Sequence, residues 1–586
     1  MEKITERLSA LIGDAFVSAG FDYSFGEVSL SNRKDLCQYQ CNGSLKAAKQ
    51  FKQAPLAIAR QIAQIVQNHP MLARVEAIQP GFINLDIRDD FLVNYLLEMN
   101  ASEAFGIHRG HQNETILLDF GGPNVAKPLH VGHLRSAIIG ESIKRLTRIY
   151  GYTTIGDIHL GDWGLQMGLV ITELHERYPG WNCFAEGFSG DFDPSIQLTS
   201  EMLNEVYPTA SAKSKADTYY YDLAQQATLE LQRGRNGYRV LWKAIVQTSV
   251  DDMKLSYNRL GVSFDLWYGE SDADQYVGQL LEILTQKNLM RLSEGAMVVD
   301  VEAEDDTAPM PPVIIKKSND SIMYATSDLA TIIERQKDFQ PQKIWYVVDN
   351  RQNLHFTQVF RVARKADLIP ESTDLQFLGF GTMNGKDGKP YKTREGGIMR
   401  LSDLIDNAKD AAYEKLSTSE YVVGNELDIL AEKVGVAAIK FGDLINHRRK
   451  DYIFDLDKFL AFEGKTGSYL LYSITRINSI LNKVQQNNDE LASLGTITSD
   501  SERQLMLVLA TTQDVFDRAL LEQAPNYIAE NVYTIAVSFS KFYSENNIVF
   551  EKDKETQAGW ISLLKLTRKI MIFHLDILGI ETVENM

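Results

Sequence analysis

The sequence predicts an α/β domain with a parallel sheet, a small α+β domain before it and an all-α bundle after it. Three observations predict this division. Apolar, β-branched segments alternate with helical patterns between about residues 106 and 415, and such alternation is typical of a parallel sheet. A mixed pattern precedes this region, and only amphipathic helices follow it. At 586 residues the chain is also too long for one hydrophobic core.

Composition limits the location and the partners. The chain is 44% hydrophobic and 24% charged, has no apolar stretch long enough to span a bilayer, and starts without a signal-peptide pattern. We therefore expect a cytoplasmic protein without a membrane partner. A formal net charge of −18 argues against indiscriminate coating of nucleic acid, but it allows an RNA held by local basic patches. Three cysteines give neither a disulfide framework nor a zinc site, and we predict no metal-binding residue.

The first half of the α/β domain, residues 106–174, opens with a strand, a glycine-rich turn and a helix. Residues 115–118 read as a buried strand, residues 121–123 as the turn, and helical periodicity starts at Leu134. Arg135 and Lys144 lie off the apolar face of this helix. A helix that begins at the end of a strand presents free N–H groups, a geometry that binds anions and above all phosphate.

Two histidines, His130 and His133, stand at the predicted start of this helix. Their spacing lets them share one face, where imidazoles can donate hydrogen bonds to charge on a phosphoryl oxygen. Gly132 between them leaves room for a flat ring against the backbone. The alternative is a pair of exposed histidines without function, but the strand–turn–helix setting favours the functional interpretation.

A second strand–turn–helix unit follows, with its turn at residues 161–164. Ligands of parallel sheets bind beyond the carboxyl ends of the strands, so the two turns can converge on one crevice. Residues 175–290 change to loop-like and helical sequence, which we interpret as an insertion. Strands return in the second half of the domain, residues 291–415.

The second half contains two candidate sites. Tyr324 and Asp328 are four apart at a helix start, and a carboxylate is the natural partner of a guanidinium group. The alternative is an ordinary helix cap by Ser327 or Asp328. Further on, Lys389 and Lys392 belong to a basic, glycine-rich loop over residues 385–397, which suits the charge of a triphosphate. An exposed basic loop without function is the alternative there.

Residues 416–586 predict a helical bundle. Basic and aromatic side chains are interleaved in its first part, as suits single-stranded RNA, in which phosphates pair with cations and bases stack on rings. An ordinary helix surface would look much the same. The candidates for RNA contact are Arg448, Arg449, Lys450, Tyr469 and Arg476.

These motifs together resemble a known family. The sequence from His130 to His133, HVGH, resembles the first signature of class I aminoacyl-tRNA synthetases, and residues 123–136 are similar to arginyl-tRNA synthetases in particular. The segment Lys389-Pro-Tyr-Lys-Thr393 matches the second signature, KMSKS, in its two lysines but not in its methionine or serines. The resemblance covers essentially the whole chain in the same order. A different class I synthetase, a smaller nucleotidyltransferase and a non-catalytic RNA-binding relative are the rival hypotheses.

The resemblance implies an architecture and an activity. Residues 106–174 and 291–415 would be the halves of a Rossmann-like catalytic domain with a connective insertion at 175–290. Residues 1–105 would be an additional tRNA-contacting domain, and residues 416–586 an anticodon-binding domain. The implied reaction joins L-arginine to tRNA(Arg) at the expense of ATP through an arginyl adenylate, and AMP and diphosphate are released. Mg²⁺ is expected with ATP, and a monomer is expected from the family.

The resemblance also implies residue roles. His130, His133, Lys127 and Lys392 would be catalytic, with Lys127 sharing the work of Lys392. The ATP-binding set would be His130, Gly132, His133, Lys389 and Lys392. The arginine-binding set would be Asp119, Asn124, His133, Tyr324, Asp328 and Gln352. His355 is expected to have a structural or tRNA-side role.

Overall fold

The structure is a computed structural model that describes residues 1–33, 35–318, 322–391, 399–417, 425–485 and 490–586. Its first part is a small α+β unit with the elements α1 (Ile4–Ser18), β1 (Val28–Leu30), β2 (Tyr39–Cys41), α2 (Gly43–Phe51), α3 (Pro55–Val66), β3 (Leu72–Ile78), β4 (Phe82–Ile87) and α4 (Asp89–Ala101). The four strands form an antiparallel sheet in the order β1-β2-β4-β3. A turn that contains Pro80 and Gly81 joins β3 to β4.

The central α/β region begins with β5 (Thr115–Phe120), α5 (Val131–Ile149), β6 (Thr153–Asp157) and α6 (Leu165–Arg177). The segment predicted as an insertion contains α7 (Ser200–Ala216), α8 (Thr218–Gln232), α9 (Asn236–Arg259) and α10 (Glu270–Gln286). The chain continues with β7 (Met290–Ser293), β8 (Ala296–Val299) and β9 (Val313–Lys316), which form an antiparallel sheet.

The second half of this region supplies α11 (Tyr324–Phe339), β10 (Lys343–Val347), α12 (Asn353–Lys365), β11 (Asp374–Phe377) and β12 (Met383–Asn384). The central sheet is parallel with the strand order β11-β10-β5-β6. Register places Asp119 beside Asp157 and beside Tyr346 at the carboxyl ends of three adjacent strands. The two halves of the domain are therefore joined in one sheet, and their strand ends meet at one edge.

The C-terminal part is helical. Its elements are α13 (Leu401–Leu416), α14 (Asn425–Leu444), β13 (Tyr452–Ile453), α15 (Leu456–Phe459), α16 (Gly467–Lys483), α17 (Asp500–Ala510), α18 (Thr512–Glu522), α19 (Asn526–Glu545) and α20 (Lys554–Ile577). The short strand β13 pairs with β12, which ties the start of the bundle to the end of the α/β region. Among the described helices, none has both the length and the apolar character that a membrane span requires.

Helix α5 corrects one expectation from the sequence. Arg135 and Lys144, predicted to lie off the apolar face, are 2% and 1% exposed. They are buried because α5 packs against the sheet and also against α13, α14, α18 and α20, so it has no free face along most of its length. Each has an acidic partner: Arg135 Nε lies 2.9 Å from Asp443 Oδ2, and Lys144 Nζ lies 2.7 Å from Glu141 Oε2.

The Arg135–Asp443 pair connects three parts of the chain. Asp443 lies on α14, and Arg135 Nη1 also donates to the carbonyl oxygens of Gly381 at 2.6 Å and Lys450 at 3.0 Å. The ring of Tyr452 lies 5.1 Å from the guanidinium carbon. One buried guanidinium therefore links α5, the segment before β12 and the start of the bundle.

Removing one partner of this pair should leave a buried charge without compensation. We expect Arg135→Met and Asp443→Leu each to lower the free energy of unfolding by about 3–5 kcal/mol, and the double variant to lose less than either single variant. Urea unfolding followed by circular dichroism measures all three. Arg33→Ala, which breaks the exposed Arg33–Asp35 pair, is the control and should leave the midpoint unchanged. Additive losses in the double variant would show that the two side chains do not act as a pair.

Candidate active site

The loop from β5 to α5 is fixed by hydrogen bonds from two other segments. Ala126 has a left-handed φ of 60°, which is costly for a residue with a side chain. Its N–H donates to Ser249 Oγ on α9 at 3.0 Å, and the N–H of Val125 donates to the carbonyl of Gly161 at 3.0 Å. The insertion and the second turn therefore hold the first turn in shape, and the two turns predicted to share a crevice are in contact.

The two signature histidines form a reciprocal cap at the start of α5. The N–H of Gly132 donates to His130 Nδ1 at 3.0 Å, and the N–H of His130 donates to His133 Nδ1 at 3.1 Å. The rings stack with centroids 3.9 Å apart. A Cβ on Gly132 would lie 2.7 Å from His130 Cε1, so glycine is required for this ring position. The missing side chain of Gly132 thus makes room for the ring of His130, and the ATP-binding role of Gly132 stays a prediction.

Both imidazoles are neutral at physiological pH. Burial lowers the pKa of His130, and the positive charge of Lys127 lowers it further. Burial, then His130 and Lys127, lower the pKa of His133 to about 3. Since each Nδ1 accepts a backbone N–H, each ring carries its proton on Nε2. The pair therefore offers two neutral N–H donors at the N-terminus of a helix, where anions bind favourably.

The segment of the second signature adjoins the first. The N–H of Leu401 donates to the carbonyl of Leu129 at 2.9 Å, and the N–H of Val131 donates to the carbonyl of Met399 at 3.1 Å. Lys389 is exposed on a hairpin closed by a bond from the N–H of Tyr391 to the carbonyl of Met383. Lys392 lies outside the described residues. The chain is described up to residue 391 and again from residue 399, where it is hydrogen-bonded to the histidine loop.

Tyr324 and Asp328 open helix α11. Met323 is the N-cap residue and no side chain caps the helix, so the alternative in which Ser327 or Asp328 is a cap is wrong. Asp328 Oδ2 lies 2.5 Å from His355 Nε2, which gives His355 a structural role as the partner that orients this carboxylate. Tyr324 is 71% exposed. Partial burial of its hydroxyl raises the pKa of Tyr324. The charge of Glu270 and the phenol of Tyr207 raise it further.

Glu270 is a site residue that the sequence analysis missed. It is the first residue of α10, and burial raises its pKa to about 7. The positive charge of His159 opposes this shift, and the carboxylates of Asp162 and Asp328 add to it. The start of α10 is held by Asp162 of the second turn, which accepts from the N–H of Ser271 at 3.0 Å and from its hydroxyl at 2.6 Å. The sequence signal would have been a Gly-Glu pair at a helix start, which is too common to single out.

Three other predicted arginine-site residues have different surroundings. Asp119 Oδ2 accepts from Arg335 Nη2 at 2.6 Å, and the same nitrogen donates to Asp157 Oδ2 at 2.6 Å. This buried contact gives Asp119 an internal guanidinium partner. Asn124 and Gln352 are exposed, Asn124 beside Gly161 of the second turn and Gln352 in the short turn before α12. Their roles toward a substrate remain predictions.

The RNA candidates divide into buried and exposed residues. Arg448 is 3% exposed and donates to the carbonyls of Gln523 at 3.0 Å and Gly379 at 2.8 Å, so its side chain supports the fold and the prediction that it faces RNA is wrong. Arg449 and Lys450 are exposed, as predicted for RNA contact.

The bundle also carries an aromatic and basic surface on α16 and α19. The guanidinium carbon of Arg476 lies 5.5 Å from the ring centroid of Tyr472 and 4.9 Å from that of Tyr543. Tyr469 lies on the same helix as Arg476, with its ring 5.9 Å from that of Tyr533. Tyr533 and Tyr543 were not candidates from the sequence because they are more than 60 residues further along the chain.

Three protein-family models match the chain and together indicate its class. The family model described as tRNA synthetases class I (R), catalytic domain, matches residues 95–456. The models for the arginyl tRNA synthetase N terminal domain and the DALR anticodon binding domain match residues 2–87 and 470–586. Together with the parallel sheet and the histidine pair at its edge, these matches define a class I aminoacyl-tRNA synthetase.

Full-length relatives specify the family. The chain is 46% identical to arginine–tRNA ligase of Alkaliphilus oremlandii and 44% identical to that of Agathobacter rectalis, with 100% of each chain covered. Its fold matches the arginyl-tRNA synthetase structures of Plasmodium falciparum, with a TM-score of 0.83 at 24% identity, and Thermus thermophilus, with a TM-score of 0.79 at 19% identity, over 100% of each chain. The chain belongs to the arginyl-tRNA synthetase family, which confirms the resemblance and the fold class predicted from the sequence.

Proposed function

We propose that the chain joins L-arginine to tRNA(Arg) with ATP, through an arginyl adenylate, and releases AMP and diphosphate. Membership of the family supports this activity. The observation that carries the choice of amino acid is the grouping of Glu270, Asp328 and Tyr324: the charge of Asp328 contributes to the raised pKa of Glu270, and the charge of Glu270 contributes to the raised pKa of Tyr324. We propose that these three side chains line one pocket. Within the described part of the chain, no lysine or arginine is paired with either carboxylate.

This pocket suits a guanidinium group. A planar guanidinium carries a permanent charge and five donors, and it can satisfy two carboxylates at once. Lysine presents a compact ammonium that cannot reach both acceptors in the same geometry, so it would leave a buried carboxylate unpaired. We assign Asp328 and Glu270 to the charge of the substrate guanidinium, and Tyr324 to a further hydrogen bond. Gln352, Asn124 and Asp119 remain proposed contacts for the rest of the arginine molecule.

The first step needs little covalent chemistry from the protein. An oxygen of the arginine carboxylate attacks the α-phosphorus of ATP, the bond to the bridging oxygen breaks, and diphosphate leaves. The chain orients the two reactants and stabilises the charge that develops on the phosphoryl oxygens. We assign the Nε2–H groups of His130 and His133 to these oxygens, and the ammonium groups of Lys127, Lys389 and Lys392 to the triphosphate.

The second step transfers the arginyl group to the tRNA. A ribose hydroxyl at the tRNA end attacks the carbonyl carbon of the adenylate, and AMP leaves with the electron pair of the broken bond. We propose that the 2′-hydroxyl is the nucleophile and that the bundle binds the anticodon through Arg449, Lys450, Tyr469 and Arg476. A monomer in the cytoplasm is the proposed working state. Mg²⁺ is expected to accompany ATP and to neutralise phosphate charge, and no residue is assigned to it.

ATP–diphosphate exchange tests this function. We expect exchange that depends on arginine, is much weaker with lysine or citrulline, and is measured with and without tRNA(Arg). Asp328→Asn removes the charge that pairs with the guanidinium and should reduce arginine-dependent exchange by about 100-fold or more. Asp222→Asn, on the exposed face of α8, is the matched control and should behave like the wild type. Exchange driven equally well by another amino acid would contradict the proposed function.

The raised pKa of Glu270 gives a second prediction. A carboxyl with a pKa of about 7 binds a proton as the pH falls below 7 and then cannot pair with a guanidinium. We expect the KM for arginine to rise as the pH decreases from 8 to 6, by roughly tenfold over that range. Steady-state aminoacylation at saturating ATP and tRNA measures it. Glu270→Gln should raise the KM at pH 8 and abolish this pH dependence. An unchanged slope in that variant would assign the effect to another group.

A further inference from the structure

Both the backbone and the side-chain ammonium of Lys127 are restrained by neighbouring residues. Ala126, which precedes it, is fixed in its left-handed conformation by the hydrogen bond from its N–H to Ser249. Pro128, which follows, excludes the helical conformation for Lys127. At the other end of the side chain, Lys127 Nζ lies 4.3 Å from the ring centroid of Tyr207. A lysine with four rotatable bonds would otherwise sample many positions.

Tyr207 comes from the insertion and is itself well supported. It lies on α7, is half-buried, and packs with Leu165 against the small apolar cluster of Leu169, Ala210, Tyr220 and Ala224. Leu165 is the first residue of α6, directly after the second turn. The aromatic ring that faces Lys127 therefore packs against the same apolar cluster as the first residue after the second turn.

Both partners of the Lys127–Tyr207 contact influence other candidate site residues. The charge of Lys127 contributes to the lowered pKa values of His130 and His133. The hydroxyl of Tyr207 contributes to the raised pKa of Tyr324.

We propose that Tyr207 is a positioning residue that holds the ammonium of Lys127 toward the triphosphate of ATP. This inference rests on the proposed function. A cation over a ring face keeps its N–H donors available to phosphate oxygens, so the contact orients the ammonium without occupying it. Lys389 is exposed and has no comparable support in the described part of the chain. The prearranged lysine is therefore expected to carry more of the phosphate charge.

The test is a double-mutant cycle between Tyr207 and Lys127, measured by arginine-dependent ATP–diphosphate exchange with tRNA(Arg) present. Tyr207→Leu removes the ring face and should lower kcat by about 3- to 10-fold. Tyr207→Phe retains the face and should stay within about twofold of the wild type. In the Lys127→Met background, Tyr207→Leu should have less than about a twofold effect, because there is no ammonium left to position. The KM for arginine should change little throughout.

The controls distinguish the positioning role of Tyr207 from a role in packing alone, and they distinguish failure of this inference from failure of the proposed function. Tyr219→Leu changes an exposed tyrosine on α8 of the same insertion and should behave like the wild type. A loss from Tyr207→Leu that is as large in the Lys127→Met background, or a loss shared by Tyr207→Phe, would overturn the positioning role while the proposed function stands. A wild-type chain without arginine-dependent exchange would overturn the proposed function and this inference with it.

Discussion

Buried negative charge is the constraint on which the proposed amino-acid site depends. Burial raises the pKa of Glu270, and the nearby carboxylates of Asp162 and Asp328 raise it further. Other parts of the chain hold Glu270 and Asp328 in place: Asp162 fixes the start of α10, and His355 orients Asp328. A guanidinium beside these carboxylates would offset the cost of burying their charge, which favours a permanently charged, planar ligand.

The chain contains an internal example of the same chemistry. Arg335 donates to Asp119 and Asp157 at the ends of β5 and β6, and its guanidinium carbon lies 5.3 Å from the ring of Tyr346. Two carboxylates and a phenol ring surround this side chain, much as two carboxylates and a phenol surround the proposed substrate position. At Arg335 the positive charge comes from the protein, whereas at the proposed arginine site it would come from the ligand.

The histidine site depends on contacts between distant segments. The insertion contributes Ser249 and Tyr207, the second turn contributes Gly161, and the chain beyond the second signature pairs with residues 129 and 131. On the far side of α5, the Arg135–Asp443 pair ties the same helix to α14 of the bundle. The bundle and the sheet thus contact helix α5, and the insertion contacts the loop that precedes it.

Local patterns in the sequence predicted much of this arrangement. The strand–turn–helix around His130 and the pair Tyr324 and Asp328 are visible because each depends on residues close in the chain. The sequence could not show that Arg135 and Arg448 are buried, since their partners lie on segments that only folding brings near. For the same reason Glu270 was missed: its significance comes from Asp328, 58 residues away, and nothing in its own surroundings marks it.

The most direct test of the proposed arginine site is a crystal structure of the chain with arginine and tRNA(Arg) bound. We expect the substrate guanidinium between Asp328 and Glu270, with nitrogen–oxygen distances of about 2.7–2.9 Å to both carboxylates. A guanidinium placed elsewhere, with water between these two carboxylates, would contradict it.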